Sequence, residues 1–343
     1  MTGCASGGAY PRLTTGTRPQ NVRVPPPGPH GGDGARLAVA LGLDPDDVLD
    51  LSVSLNPFAP DVARLAARHL GALRRYPDVD DAERMVADMV GSDPACLVLT
   101  AGGSQAIALV AERTRVGWVQ EPEFSLYRRH LRRMEPNAPR WRSDPHNPSG
   151  RLAQDGADPL SPIAYPPQVT QAPPHGPNDQ DVWDEAFLPL SGGTWTRGRR
   201  GWALGSLTKA FACPGLRLGY AIAPDPQAAV DLRARRPEWA VSGLACALLP
   251  QLCSLADPPG WTERIAAARR ATVDMLGDHG LEPLPSDAPW LLVPDAAGLR
   301  EALAVHGVVV RDCGSFGLPD HIRVAVPDEV DLARLHGALD RCL

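Results

Sequence analysis

Apolar and polar positions alternate in two rhythms along this chain, and each rhythm predicts a different element. Short apolar runs that end at a turn or a polar side chain predict buried strands. They occupy residues 97–100, 117–120, 182–183, 202–205 and 219–223. Segments with helical spacing lie between some of them, such as 105–112. Strands that alternate with helices are typical of a mainly parallel α/β sheet.

The regions on either side of these runs have a different pattern. Upstream, residues 49–55 predict a strand that ends at Asn56-Pro57, and apolar positions within 62–73 and 82–90 predict two helices. From about Trp239 the pattern predicts long helices, strands at 290–293, 308–311 and 322–326, a helix near 297–306 and a last helix. This part is therefore predicted to be a smaller α+β domain.

The length of 343 residues favours two domains. We expect a disordered leader over 1–29, which is rich in Gly and Pro, and an N-terminal arm over 30–57. A large domain follows over 58–238 and a small domain over 239–343. Within the large domain, residues 155–180 are rich in proline, which makes a regular element there improbable and predicts a surface insertion.

Charge and cysteine usage exclude several classes of protein. The net charge of −6 gives no basic footprint for nucleic acid, and no apolar stretch is long enough to span a bilayer. The seven cysteines are odd in number and form no CxxC pair, which argues against a disulfide framework and a structural zinc site. We therefore expect a cytoplasmic protein with free thiols and no metal site.

Lysine is almost absent from the chain. Of the 34 Lys and Arg residues, Lys209 is the single lysine. Arginine cannot replace a lysine that must lose its proton and attack a carbonyl, because guanidinium stays protonated. Lys209 is thus a candidate for covalent chemistry, although a stray surface lysine is the alternative until its neighbourhood is considered.

The neighbourhood of Lys209 favours chemistry. Ser206 and Arg217 flank it, and Asp184 follows a predicted strand. Asn147 lies in a His-Asn-Pro-Ser-Gly turn, and Gly102-Gly103-Ser104 opens a helix after a strand, which suits a phosphate. Each motif alone is usually a cap or a turn. All four occur in one chain, and the single lysine lies inside the last of them, between Ser206 and Arg217, which makes an accidental arrangement improbable.

These motifs resemble those of the fold-type I, pyridoxal-phosphate (PLP)-dependent class I/II aminotransferases. The similarity is greatest to the histidinol-phosphate aminotransferase branch, and within it to the cobalamin-biosynthetic threonine-phosphate decarboxylases. The similarity runs from about His30 to the C-terminus. The stretches that resemble the cobalamin branch in particular are 30–32, 51–57, 75–78, 239–242, 310–313 and 322–326. The resemblance implies a mainly parallel large domain that binds PLP, a smaller α+β domain and a homodimer.

The resemblance also implies roles for individual residues. Lys209 would form the Schiff base with PLP and carry a proton, Asp184 would pair with the pyridine nitrogen, and Asn147 would bind the ring hydroxyl. The other cofactor contacts would be Gly103, Ser104, Ser206 and Arg217 at the phosphate, Phe124 stacked on the ring, and Tyr76 reaching the phosphate in the partner subunit.

The substrate would be a small phosphorylated amino acid. The resemblance implies that Arg323 pairs with its carboxylate and that Arg311, with His30, Gly31 and Asn56, serves its phosphate. For Arg311 a surface salt bridge is the alternative, and for His30 a residue of the leader.

Three departures from the family pattern bear on activity. The short interval from Phe124 to Asn147 leaves little room for the strand and helix usual there, and the 155–180 stretch replaces a regular approach to Asp184. Phe187 replaces a tyrosine common in aminotransferases, which agrees with the decarboxylase branch.

We expect decarboxylation of L-threonine O-3-phosphate to (R)-1-amino-2-propanol O-2-phosphate in cobalamin biosynthesis. The alternatives are an aminotransferase of the histidinol-phosphate type and a catalytically weakened PLP-binding protein.

Overall fold

The computed structural model describes residues 23–153 and 179–343, which form two sheets with helices packed around them. The strands are β1 (Leu49–Leu51), β2 (Leu97–Thr100), β3 (Val116–Val119), β4 (Arg133–Met134), β5 (Arg140–Ser143), β6 (Val182–Asp184), β7 (Trp202–Gly205), β8 (Gly219–Ile222), β9 (Trp290–Val293), β10 (Val308–Asp312) and β11 (Ile322–Ala325). The helices are α1 (Gly34–Leu41), α2 (Val62–Ala66), α3 (Asp80–Val90), α4 (Gly103–Thr114), α5 (Leu126–His130), α6 (Leu207–Ala210), α7 (Pro226–Arg235), α8 (Gly243–Ser254), α9 (Pro258–Asp278), α10 (Leu299–Ala304) and α11 (Glu329–Leu339).

The larger sheet has seven strands in the order β2-β8-β7-β6-β5-β3-β4. β8 runs antiparallel to both of its neighbours, and the other described pairings are parallel. The predicted mainly parallel sheet is confirmed. Strands β2, β7 and β8 are buried on both faces and read as continuous apolar runs, which is typical of strands covered by helices on each side.

The smaller sheet has the order β1-β10-β11-β9 and includes a strand from the N-terminal arm. β1 pairs in parallel with β10, so that Leu49 lies opposite Val308. The arm is therefore a structural part of the small domain. The strand predicted over 49–55 ends at Leu51, because the next residues turn toward the large domain.

Helix α3 shows how local sequence sets these elements. Its first turn carries Asp80, Asp81 and Glu83, which complement the positive end of the helix dipole. Apolar residues at helical spacing bury one face, and the helix ends at Gly91, whose φ of 73° is favourable only for a residue without a Cβ. The prediction of a helix over 82–90 is confirmed with two more residues at its start.

The prediction that the interval from Phe124 to Asn147 leaves little room for strands was wrong. This interval holds α5, the two-residue strand β4 and the strand β5. β5 pairs in parallel with both β3 and β6, so the sheet continues without a gap. The interval has room for both strands because they are short: β4, at the edge of the sheet, pairs with β3 through only two residues.

Two predicted boundaries also change. Residues 23–29, assigned to the leader, are held in place: the carbonyls of Pro25 and Pro29 accept hydrogen bonds from Arg300 and Arg311. After residue 239, helix α8 and Trp261 at the start of α9 pack into the core of the large domain, so the small domain begins within α9. The rest of the leader and nearly all of the 155–180 insertion lie outside the described residues. Within the described ranges, none of the helices combines the length and the apolar character needed to cross a membrane.

Candidate active site

A cavity of about 220 Å³ lies at the carboxyl ends of the parallel strands, between the larger sheet and β10 and β11. This is where parallel α/β sheets bind ligands, since loops after adjacent strands meet there. Its lining includes most of the predicted site residues: His30, Gly103, Ser104, Phe124, Asn147, Asp184, Ser206, Lys209, Arg217, Arg311 and Arg323.

Lys209 lies on the short helix α6, directly after β7. Its Nζ is 5.6 Å from the centre of the Phe187 ring. Burial, together with the positive charges of Arg323, Arg217 and Arg311, lowers the pKa of the Lys209 amine to about 8, and Asp184 opposes this shift. About one molecule in ten therefore has a neutral amine at pH 7, far more than for a lysine of ordinary pKa, and the neutral form is the one that a nucleophile requires.

Asp184 ends β6 and is held by two donors. Tyr127 Oη donates a 2.8 Å hydrogen bond to Oδ2, and the amide of Ala186 donates one of 3.1 Å to Oδ1. Burial raises the pKa of Asp184 to about 6, although these hydrogen bonds and Lys209 favour its ionised form. A carboxylate fixed in this way can face a protonated ring nitrogen.

Asn147 is positioned by a buried hydrogen-bond chain. Its amide N–H donates to Ser143 Oγ at 2.8 Å, and Ser143 Oγ donates to Glu123 Oε1 at 2.5 Å. Burial raises the pKa of Glu123 to about 7, and the hydrogen bonds from Ser143 oppose that shift. At its side chain, Asn147 Oδ1 accepts a 2.6 Å hydrogen bond from Arg323 Nη1.

The phosphate end is formed by the start of α4 and by Arg217. Gly102 precedes the helix with a φ of 81°, and a Cβ there would lie 2.7 Å from Arg217 Nη2. Only glycine therefore allows the guanidinium to lie against this turn. Gly103 and Ser104 provide the first amides of α4, which have no acceptor within the helix and favour an anion. Ser206 borders the same end.

The opposite end is formed by two arginines on neighbouring strands. Arg311 and Arg323 are register partners across β10 and β11, and both are buried. Arg311 donates to the carbonyls of His30 at 2.7 Å and Pro29 at 3.1 Å, so the surface salt bridge and the leader residue are both wrong as alternatives. Burial and the positive charge of Arg311 together lower the pKa of Arg323 to about 9.

Three predicted residues lie outside the cavity lining. Gly31 packs against the backbone of Ser52, where a Cβ would lie 2.5 Å from the Ser52 carbonyl oxygen. Asn56 donates its side-chain amide to the carbonyl of Ala210 at 2.8 Å. The prediction that these two residues contact the substrate is thus not supported: they fix the arm beside α6. Tyr76 is 79% exposed and stacks on Trp239.

The residues present fit PLP. Among the described lining residues, Lys209 and three arginines face the single carboxylate of Asp184. Their positive charge requires anionic groups, such as a phosphate and a carboxylate. In the described part of the chain, Arg311 Nε, His30 Nδ1 and Ser54 Oγ are also buried without a hydrogen-bond partner. Unpaired buried polar atoms of this kind are typical of a binding site.

Several residues of the site were missed by sequence reasoning. Tyr127, Glu123 and Ser143 are the principal ones. Tyr127 lies three residues after Phe124, and this spacing at the start of a helix could have indicated that both face the cavity. Glu123 and Ser143 gave no such signal, because a polar residue beside a strand end is usually exposed.

Comparisons with known proteins agree with this site. Residues 188–339 match the family model for aminotransferase class I and II. The chain is 28% identical to a histidinol-phosphate aminotransferase of Haloferax volcanii, over 94% of this chain and 98% of that protein. It is also 28% identical to a threonine-phosphate decarboxylase of Salmonella typhimurium, over 92% of this chain and 96% of that protein.

A solved structure extends the comparison to the fold. The histidinol-phosphate aminotransferase of Sinorhizobium meliloti in complex with pyridoxal-5'-phosphate has a TM-score of 0.70 and 20% identity, over 89% of this chain and 93% of that one. Residues 188–339 therefore carry the pattern of aminotransferase class I and II, and nearly the whole chain is similar to enzymes of that kind, one of which was solved with pyridoxal-5'-phosphate.

Proposed function

We propose that the enzyme decarboxylates L-threonine O-3-phosphate to (R)-1-amino-2-propanol O-2-phosphate, a step of cobalamin biosynthesis. The observation that carries the proposal is the pair Arg311 and Arg323, both buried and both lining the cavity on adjacent strands. Two guanidinium groups at one end of a site match a substrate that carries two anionic groups.

The number of anionic groups separates the two candidate substrates. L-threonine phosphate carries a carboxylate and a phosphate, whereas histidinol phosphate carries the phosphate alone. A buried arginine without an anion is costly, because desolvation is not repaid. Of these two phosphorylated substrates, the one with two anions suits this pair better. The 2-oxoglutarate of an aminotransferase also carries two anions, so the products decide between the two reactions. Phe187, which offers no hydroxyl to the ring, supports the same choice.

The reaction replaces a carboxylate at Cα by a proton. PLP, when bound, accepts the electron pair of the bond that breaks at Cα. The carboxylate would leave as CO₂, and Lys209 Nζ would donate the proton that Cα then takes up. Asp184 would hold the ring nitrogen protonated and Phe124 would cover the ring. Arg323, fixed by Asn147, would orient the carboxylate, since the bond held perpendicular to the ring is the one that breaks.

We propose further that the functional unit is a homodimer in which Tyr76 reaches the partner's cofactor phosphate. The support is the position of Tyr76, which is exposed and does not line the cavity of its own chain. Nearby Leu70, Leu73 and Trp239 are more than half exposed as well, which forms an apolar surface suited to a second copy.

The test incubates the PLP-loaded enzyme with L-threonine O-3-phosphate in D₂O, with and without 2-oxoglutarate, and identifies products by mass spectrometry. We expect aminopropanol phosphate with one deuterium at the former Cα, and CO₂, without any need for 2-oxoglutarate. L-Threonine is the matched substrate control, because it lacks the phosphate but keeps the carboxylate.

Variants separate binding from chemistry. Lys209→Ala should form no product, and Arg311→Gln should reduce the preference for L-threonine phosphate over L-threonine. Glutamate that forms only when an amino donor and 2-oxoglutarate are both present would overturn the proposal in favour of an aminotransferase. The absence of product under all conditions would indicate a protein that binds PLP without this chemistry.

A further inference from the structure

Three side chains of types that bind metal ions lie close together on the small domain. None of the three lines the cavity. They are His279, His336 and Asp340, whose ligand atoms lie within 4.8 Å of one another. His279 Nε2 is 3.1 Å from Asp340 Oδ1, and His336 Nε2 is 3.8 Å from the same oxygen. The two imidazole rings are 5.1 Å apart, centre to centre.

These separations fit one ion. Nitrogen and oxygen ligands bind Zn²⁺ at about 2.0–2.2 Å in tetrahedral sites, so two ligand atoms lie about 3.3 Å apart. The two measured separations from Asp340 Oδ1 fall on either side of this value. All three ligand atoms lie within 4.8 Å of one another, and the exposed side chain of His336 can move closer to an ion at their common centre.

The tautomer of His279 is set by a backbone contact. His279 Nδ1 lies 2.9 Å from the carbonyl oxygen of Met275, which can only accept a hydrogen bond. Nδ1 therefore carries a proton, which leaves Nε2 as the ring nitrogen that faces Asp340 Oδ1 at 3.1 Å. Nε2 donates to this oxygen when it carries a proton, and without that proton it can bind an ion. A second ring nitrogen bonded to a backbone carbonyl is the usual arrangement of histidines that bind metals.

The surroundings favour positive charge. His279 caps the C-terminus of α9, and Asp340 caps the C-terminus of α11. The carbonyl ends of two helices thus point toward one place, where the helix dipole stabilises cations. Arg341 is adjacent, but its Nε donates to His306 at 3.3 Å.

We propose that His279, His336 and Asp340 form a binding site for a divalent transition-metal ion, with Zn²⁺ as the ion that fits best and water as the fourth ligand. The donor set of two imidazoles and one carboxylate is typical of zinc sites with an open position. Sequence reasoning excluded metal because it considered paired cysteines alone. The bound ion would connect α9 to α11 and hold the last helix on the small domain.

The experiment titrates the full-length, PLP-loaded, dialysed protein with ZnCl₂ by isothermal titration calorimetry. His279→Ala, His336→Ala and Asp340→Asn are compared with His321→Gln, a matched histidine control on the same domain. We expect each of the first three substitutions to weaken Zn²⁺ binding roughly tenfold or more, and the control to leave it unchanged. His336 is 53% exposed in its side chain, so its variant should fold, which circular dichroism checks.

Cobalt distinguishes this site from the thiols of the chain. Co²⁺ bound here should give visible d–d bands without thiolate charge-transfer absorption, and His336→Ala should remove those bands. Equal binding by the wild type and all three variants would overturn the proposal, and so would charge-transfer absorption alone. If the cluster is only an ion pair between histidine and aspartate, the wild type will bind no more Zn²⁺ than the variants.

Discussion

Arg323 Nη1 donates a 2.6 Å hydrogen bond to Asn147 Oδ1, which joins β11 of the small domain to the loop after β5 of the large domain. The backbone amide of the same asparagine donates a hydrogen bond to Ser143 Oγ, which fixes its position. The orientation of the arginine that would bind the substrate carboxylate thus depends on the group that would bind the cofactor ring.

The first prediction concerns this contact. Asn147→Ala should raise the KM for L-threonine phosphate and lower kcat/KM about 10- to 100-fold, because a hydrogen bond to a charged group is lost. Asn147→Asp keeps an acceptor for Arg323, so its KM should stay close to that of the wild type while kcat falls. Steady-state kinetics measure both. An equal rise of KM in the two variants would show that the contact does not orient Arg323.

The second prediction concerns the pH dependence of cofactor attachment. The pKa of Lys209 is lowered to about 8 by burial and by the neighbouring arginines. Only the neutral amine attacks a carbonyl, so the rate at which the cofactor-free protein binds PLP covalently should rise with pH and level off above about 8. Stopped-flow absorbance of PLP at several pH values measures this rate.

Two variants control that experiment. Arg323→Gln removes a positive charge beside Lys209, so it should move the pH profile to higher values. Lys209→Arg keeps a positive charge but stays protonated, and it should show no covalent attachment at any pH. A profile that is unchanged in Arg323→Gln would mean that burial alone sets the pKa of the lysine.

The third prediction concerns Glu123 and stability. The pKa of Glu123 in the folded protein is about 7, above its ordinary value of 4.5, because burial disfavours the carboxylate. The folded state therefore holds the proton more tightly than the unfolded state does. The tighter binding of this proton adds about 3 kcal/mol to the free energy of unfolding. This stabilisation is present in full below about pH 4.5 and is lost as the pH rises through 7.

Glu123→Gln removes that titration. In the cofactor-free protein, the free energy of unfolding of the variant should exceed that of the wild type at pH 8 by more than it does at pH 5. Urea denaturation at both pH values measures the difference, and Glu135→Gln on the surface is the matched control. The assigned pKa would be wrong if the wild type and Glu123→Gln lost stability equally between the two pH values.

The fourth prediction concerns Tyr76 and the second copy of the chain. If Tyr76 of the partner subunit contacts the cofactor phosphate, Tyr76→Phe should weaken PLP affinity roughly tenfold, because one hydrogen bond to a charged group is lost. Dilution below the dimer dissociation constant should weaken it in the wild type as well. Val330→Ala, which also alters an exposed apolar residue, is the control. Affinity independent of protein concentration would argue against a shared site.

Strand bounds were predicted most accurately where the apolar pattern of the strand's own residues is enough to define them. β7 and β9 have the bounds that their apolar runs predict, because every residue of these two strands is buried and each strand is therefore read as a continuous apolar run. The prediction that strands would not fit between Phe124 and Asn147 was wrong because the strands there are defined by pairing with β3, not by an apolar pattern of their own. β4 is exposed and has no apolar pattern, and it exists because β3 offers an edge.

The sequence by itself determined which groups are candidates for chemistry. They are a single lysine after one strand, an aspartate at the end of another and a glycine-rich helix start, and each can be identified from its neighbours along the chain. Tertiary structure alone decided how these groups interact. Arg323 meets Asn147 across a long stretch of chain, Asn56 supports α6 instead of the substrate, and the arm strand β1 joins β10. The pKa values of Lys209 and Glu123 were also decided there, because burial and neighbouring charges arise only when distant segments pack together.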